Sequence, residues 1–350
     1  MIKRPAFSAW RVLATFVACW LTGSGLALAA APSPAPSLLA RQQAALAVAQ
    51  SPVNACALAR PFYWEVGGPQ AVLASGAVGE GAPGRRSSVP TASASKWLYS
   101  AYVVERRGGQ LTESDVRFLT FRSGYTRFRF CRDGQTVDQC RGALINGRGR
   151  LEASTEGAFF YNGGHLQEHA RLMGLGGLDG LGLGEEIRHG LRTALGHDLA
   201  LGFGQAQPAG GGLSSAADYA DFLQALLRGN LKLSKLLGSH AVCTNPLTCP
   251  QGEALQTPIP ENESWHYSLG HWVEDDPVLG DGAFSSPGLF GFYPWLSADR
   301  QWYGLVVRND RQGLMSRDPQ AKPAIESVNC GRLIRDAWVK AQTRVHWPAG

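Results

Sequence analysis

Thr91-Ala92-Ser93-Ala94-Ser95-Lys96-Trp97-Leu98-Tyr99-Ser100 joins two patterns within ten residues. Small residues lead into an apolar-periodic run, Trp97, Leu98, Ala101, Tyr102 and Val104, that closes at Gly108-Gly109. The spacing predicts a helix with a glycine C-terminus. Residues three apart share a helix face, so Ser93 and Lys96 project together from its first turn. There the unpaired backbone N–H groups and the positive end of the dipole favour an alkoxide or oxyanion. A serine needs a base within reach to attack a carbonyl, and a partly buried lysine with a lowered pKa can serve. The plainer reading is a solvated lysine one turn from a small serine. A lone Ser-x-x-Lys arises by chance, so the tetrad needs company.

The beginning of the chain reads as an export signal. Lys3, Arg4 and Arg11 precede the apolar run Val12 to Leu21, and Ala27-Leu28-Ala29 offers small residues for cleavage. Residues 1–29 are therefore expected to be removed, leaving a periplasmic or secreted protein with no membrane span. The run is short for a span and is broken by Thr22-Gly23-Ser24-Gly25. A lipid anchor at Cys19, after Phe16-Val17-Ala18, is the weaker alternative, because apolar residues continue past it. Without the three basic residues the formal charge falls from +5 to +2. A near-neutral remainder gives no ground for a nucleic-acid partner.

Six cysteines remain after cleavage, and an even number in an exported chain suggests disulfides. Cys131/Cys140 and Cys243/Cys249 each bracket a polar loop, so local closure is the simplest pairing and leaves Cys56 for Cys330. A zinc site is the rival, yet no Cys-x-x-Cys occurs and no histidine lies near Cys131 or Cys140. About 320 residues suffice for one large two-lobed domain. Forty-three glycines and ten tryptophans fit a loop-rich enzyme better than a helical bundle.

A helix is expected over Leu38 to Gln50. Phe62 to Val66 and Ala71 to Ala74, around Gly67-Gly68, read as a strand pair. Thr112 with Asp115 opens a short helix by a capping box, and helical patches lie near His165–Met173 and Glu185–Leu195. Ser215 with Asp218 caps a further helix that ends at Gly229. From Trp265 the chain turns β-rich: Trp265 to Leu269 alternates, Phe290 to Trp295 is aromatic, and Trp302 to Val307 follows a Ser297–Arg300 turn. Pro323 starts a closing helix carrying Ile325, Val328, Ile334 and Trp338.

Two further segments could join the tetrad. In Phe159-Phe160-Tyr161-Asn162-Gly163-Gly164, a tyrosine before a turn could aim its phenol into a cleft. Beside an ammonium the phenolate would be stabilised and could take the Ser93 proton; a surface tyrosine is the plainer reading. In Phe284-Ser285-Ser286-Pro287-Gly288-Leu289-Phe290-Gly291, glycine allows close approach to the backbone. The Leu289 N–H could then complete an oxyanion hole with that of Ser93; otherwise the segment is an ordinary loop leading into a strand.

Ser93-x-x-Lys96, Tyr161-Asn-Gly163 and Ser286-Pro-Gly288, in that order, resemble the motifs of the serine β-lactamase/penicillin-binding-protein family, in its class C-related branch of serine hydrolases and esterases. Leu119-Thr-x-x-Ser-Gly124 and Gly211-Gly-Leu-Ser-Ser-Ala-Ala-Asp218 resemble flanking segments of the same family, and the likeness covers roughly residues 60–340. It implies an α+β, β-lactamase/transpeptidase-like fold: an antiparallel sheet flanked by N- and C-terminal helices, plus a mostly helical lobe. Residues 30–350 would form one catalytic domain, with a sheet lobe over about 55–90 and 260–345 and a helical lobe over about 91–259.

The resemblance implies that Ser93 is acylated, with Lys96 and Tyr161 sharing the proton as a coupled base. Ser93, Ser286, Gly288, Leu289 and Gly163 would bind the substrate and its oxyanion. Gly163 stands where the family has asparagine, and Ser286 where it has a lysine or histidine that binds a substrate carboxylate. An esterase-like enzyme acting on small neutral esters or amides, or on peptides, is therefore expected before a β-lactamase or D-alanyl-D-alanine carboxypeptidase. A catalytically impaired periplasmic binding protein of the same fold is the remaining alternative. Phe284, Phe290, Phe292, Tyr293 and Trp295 could line an apolar acyl pocket, though alternate strand positions must face the core instead. No cofactor or metal is implied. His165-Leu-Gln-Glu168-His169 spells a zinc-protease motif, but two exposed helix histidines are the expected reading. No Gly-x-Ser-x-Gly follows the leader, and no phosphate-binding glycine loop is present.

Overall fold

In the computed structural model, residues 35–318, 320 and 322–343 are described. The expected leader over residues 1–29, with Cys19, lies outside them. Phe62–Gly67 is buried along its whole length, as is Tyr303–Val307, with which it pairs antiparallel from Tyr63↔Val307 to Gly67↔Tyr303. These two strands bring an early and a late segment of the chain side by side, second and third from one edge of an eight-stranded antiparallel sheet. Its order runs Val72–Val78, Phe62–Gly67, Tyr303–Val307, Tyr293–Leu296, Ala283–Ser285, Trp272–Glu274, His266–Tyr267, Val242–Cys243.

Helices Leu38–Gln50 and Pro323–Lys340 pack together on one face of the sheet, while Ala216–Leu227 packs against Tyr303–Val307 from elsewhere in the chain. Cover on both sides explains strands that are apolar throughout rather than alternating. The polar exception, Glu65, has no solvent access and accepts from Tyr63 Oη at 2.7 Å, Tyr303 Oη at 2.9 Å and Arg85 Nε at 2.9 Å. A buried charge of this kind needs such partners.

All three cysteine pairs are disulfides: Cys56–Cys330, Cys131–Cys140 and Cys243–Cys249. The first ties helix Ala55–Leu58 to the closing helix.

Local chemistry sets the helix boundaries of the remaining region. Thr112 and Asp115 form a reciprocal capping box on Glu113–Leu119, and the Ser215 side chain caps Ala216–Leu227. Gly180–Leu195 starts at Asp179 and stops at Gly196 in the left-handed conformation. The aromatic run after Gly288 departs from expectation. Gly291, at φ +96°, donates to Gly288 O at 2.8 Å in a turn, so the strand begins only at Tyr293.

Candidate active site

Ser93 sits in a 3-10 turn, Ala92–Ala94, that runs directly into helix Ser95–Arg106. Ala92 before it has φ +44°, a left-handed value that costs a non-glycine residue about 1–3 kcal/mol. Surrounding bonds over-determine the turn. Thr91 N donates to Gly212 O at 2.9 Å, Ser95 Oγ to Ala92 O at 2.6 Å, and Tyr219 Oη to Ala94 O at 2.9 Å. Ser286 Oγ donates to the Ser93 carbonyl at 3.1 Å. Gly288 presses on the same turn from the sheet: a Cβ there would stand 2.2 Å from Thr91 O, which only glycine avoids.

Lys96 is 4% exposed, and its Nζ donates to Ser93 Oγ at 2.8 Å and to Ala209 O at 2.6 Å. Burial disfavours the ammonium and lowers its pKa to about 7. Nζ lies 4.9 Å from the centroid of the Tyr161 ring. Tyr161 belongs to an aromatic cluster and stacks on Trp272 at 5.3 Å. Burial pushes its phenol up to about 12, against the pull of hydrogen bonds from Ser93 and Trp272. Burial thus moves the two groups in opposite directions, the amine towards releasing its proton and the phenol towards keeping it.

These three side chains face one cleft of about 640 Å³. Gly163 and Leu289 line it; Ser286, 2% exposed, and the buried Gly288 lie behind the Ser93 turn and hold it rather than facing the cleft. Of the five aromatic candidates, more face the core than alternation alone requires. Phe284, Phe292, Tyr293 and Trp295 are buried in the core of the covered sheet, and only Phe290 lines the cleft. Phe128, Arg129, Phe130 and Asp133 also line the cleft. The one available sequence signal was the alternation Arg127-Phe128-Arg129-Phe130 beside a cysteine.

His165 and His169 are buried, not exposed. His165 Nδ1 pairs with Ser123 Oγ at 2.6 Å and its Nε2 with Phe160 O at 2.9 Å; His169 lies between Tyr99 Oη and Asp115 Oδ1. Helix Gly164–Ala170 packs between Glu113–Leu119 and Val137–Gly142, which is why both its faces are covered. Both ring nitrogens of each histidine are engaged, and no metal-binding cluster occurs among the described residues.

No family model and no curated protein matches the chain. Solved structures do. A putative beta-lactamase from Bacteroides dorei is 17% identical with a TM-score of 0.55, over 78% of this chain and 93% of that one. EstCE1, a hydrolase with promiscuous acyltransferase activity, is 14% identical with a TM-score of 0.57, over 86% and 99%. The D-amino acid amidase from Ochrobactrum anthropi is 12% identical with a TM-score of 0.56, over 86% and 98%. The chain therefore shares its α+β fold, a large antiparallel sheet flanked by N- and C-terminal helices with a helical lobe, with proteins named as a putative beta-lactamase, a hydrolase with acyltransferase activity and a D-amino acid amidase. Among the described residues no helix is long and apolar enough to cross a membrane.

Proposed function

We propose that the chain is a serine hydrolase of the class C-related branch, acylated at Ser93 and acting on small esters or amides. One observation carries the reading: the buried Lys96 amine lies 2.8 Å from the Ser93 hydroxyl in an open cleft, where burial lowers its pKa to about 7. The unprotonated Lys96 amine accepts the Ser93 proton as Oγ bonds to the substrate carbonyl carbon. The carbonyl electron pair moves to oxygen, where the Leu289 and Ser93 N–H groups would receive it. Gly288 N–H is already committed to Phe292 O at 2.7 Å, which leaves Leu289 as the next donor. The proton passes from Lys96, through the Tyr161 phenol, to the departing alcohol or amine as its bond to the carbonyl breaks. Water then attacks the acyl-enzyme by the same route and releases the acid and free Ser93.

A second reading, β-lactamase or D-alanyl-D-alanine carboxypeptidase, has its own support. Arg129 and Arg311 line the cleft, and neither has an ion pair among the described residues. They could receive the substrate carboxylate that Ser286 cannot. Export is part of the proposal too, supported by the three disulfides. Labelling by a fluorophosphonate, lost in Ser93→Ala, together with turnover of p-nitrophenyl acetate above that of nitrocefin, is the expected result. No labelling of the wild type overturns the hydrolase and favours a binding protein of the same fold; faster nitrocefin turnover favours the second reading.

A further inference from the structure

Phe128 lines the cleft yet is only 9% exposed, and its ring stands apart from the main core. It packs with Cys131 and Cys140 as a separate apolar cluster. Its other edge meets the backbone two residues beyond Tyr161. A Cβ built on Gly163 would stand 2.9 Å from Phe128 Cδ1 and 3.1 Å from Cε1. The ring therefore occupies the volume that any side chain at position 163 would fill.

The segment is fixed from both sides. Asn162 Nδ2 donates to Phe128 O at 3.1 Å, while Asn162 Oδ1 accepts from Gly164 N at 2.9 Å. Asn146, itself buried, accepts from Arg129 N at 2.8 Å and donates to Phe130 O at 3.1 Å and Cys140 O at 2.8 Å. Cys131 N donates to Gln207 Oε1 at 3.3 Å. An aromatic ring held this way is a preformed apolar surface, and it offers no hydrogen bond to a polar substituent.

We propose that Phe128, braced by the Cys131–Cys140 disulfide, determines specificity by selecting an apolar acyl group on the carbonyl that Ser93 attacks. The proposal rests on Ser93 being the nucleophile. The acyl group stays bonded to Ser93 through both half-reactions and must lie against the deep part of the wall. The alcohol or amine departs past the exposed rim, where Phe130 and Leu289 stand. Each methylene laid on the ring is worth about fourfold in kcat/KM.

The test compares p-nitrophenyl acetate, butyrate and hexanoate across wild type, Phe128→Ala, Phe128→Leu and the Cys131→Ser/Cys140→Ser double variant. Fluorophosphonate labelling of Ser93 is followed in parallel. In the wild type kcat/KM is expected to rise with chain length. The hexanoate-to-acetate ratio should fall about tenfold in Phe128→Ala and less in Phe128→Leu. In the disulfide variant it should fall mainly through KM. Should Phe128→Ala fail to fold, Phe128→Leu carries the comparison. A ratio unchanged in variants that still label overturns the proposal, as does a flat chain-length profile in an active wild type. A wild type that neither labels nor turns over any ester overturns the Ser93 assignment itself, and this proposal with it.

Discussion

The Ser286 hydroxyl donates to the backbone carbonyl of Ser93 at 3.1 Å, joining the end of a sheet strand to the turn that holds the candidate nucleophile. Ser286 is 2% exposed, so this bond is shielded from water. A hydrogen bond of this kind contributes about 1 kcal/mol net, which as misplacement of Ser93 is roughly fivefold in rate. Ser286→Ala is expected to lower kcat about fivefold with little change in KM. Steady-state kinetics on one aryl ester checks it; a change confined to KM would instead place Ser286 on the substrate.

Lys96 gives the pH profile. Its pKa is lowered to about 7 by burial, so the reactive free amine accumulates as pH rises through that value. The acidic limb of kcat/KM should therefore rise through pH 7 and level off above it. Stability moves the same way. The unfolded lysine holds its proton up to about pH 10.4, so protons favour unfolding below that pH. The contribution of Lys96 to stability is thus full above that value and is lost as pH falls through about 7. Lys96→Arg keeps a charge at every pH and should abolish the rise, with a loss of about 10² to 10⁴ in kcat. Rate measurements between pH 5 and 9 decide it.

Tyr161 should not set that limb. Burial holds its phenol near 12, so it is protonated throughout the range in which Lys96 titrates. Tyr161→Phe is expected to cut kcat by about 10² through loss of the proton relay, while the limb near pH 7 stays in place. A limb displaced by more than one pH unit in Tyr161→Phe would return the role of base to the phenol.

The disulfides should differ in their effect on stability. Cys56–Cys330 spans 274 residues of sequence, against 9 for Cys131–Cys140 and 6 for Cys243–Cys249. Chain entropy predicts the largest loss, about 5 kcal/mol, for Cys56→Ser/Cys330→Ser. Thermal melts of the three double variants test the ranking, and equal shifts would count against it.

Beneath the sheet, Glu274 accepts from Arg332 Nε at 3.0 Å, from Arg335 at 2.9 Å and from Tyr293 Oη at 2.7 Å. Burial opposes the carboxylate, but Arg335 and Arg332 outweigh it and hold the carboxyl below its usual range. Its stabilisation is full above the unfolded glutamate pKa of about 4.3 and is lost as pH falls below it. Glu274→Ala removes one of two carboxylate partners from each buried guanidinium, Arg332 keeping Glu263 and Arg335 keeping Asp281, and should cost about 1–3 kcal/mol. Denaturant melts of wild type and variant at pH 7 measure it.

Much of the scaffold was legible one segment at a time. The Thr112/Asp115 capping box, the Ser215 cap, the Leu38–Gln50 helix and the short disulfides depend on neighbours a few residues away. The Ser93–Lys96 tetrad belongs with them, because helical spacing alone puts the two side chains together. The aromatic wall was not legible. Strand alternation cannot say which side is covered, and here the core takes Phe284, Tyr293 and Trp295 while the cleft takes Phe128 from a loop.

By itself, then, the sequence determined which residues cap, cross-link and pair within a few positions, since those interactions act over one turn of chain. Only the tertiary structure decided that Lys96 loses its solvent, that burial raises the Tyr161 pKa, that His165 and His169 are sealed inside, and that Phe128 stands in the space beside Gly163. Exclusion of water is made jointly by segments far apart in the chain, and no local spacing encodes it.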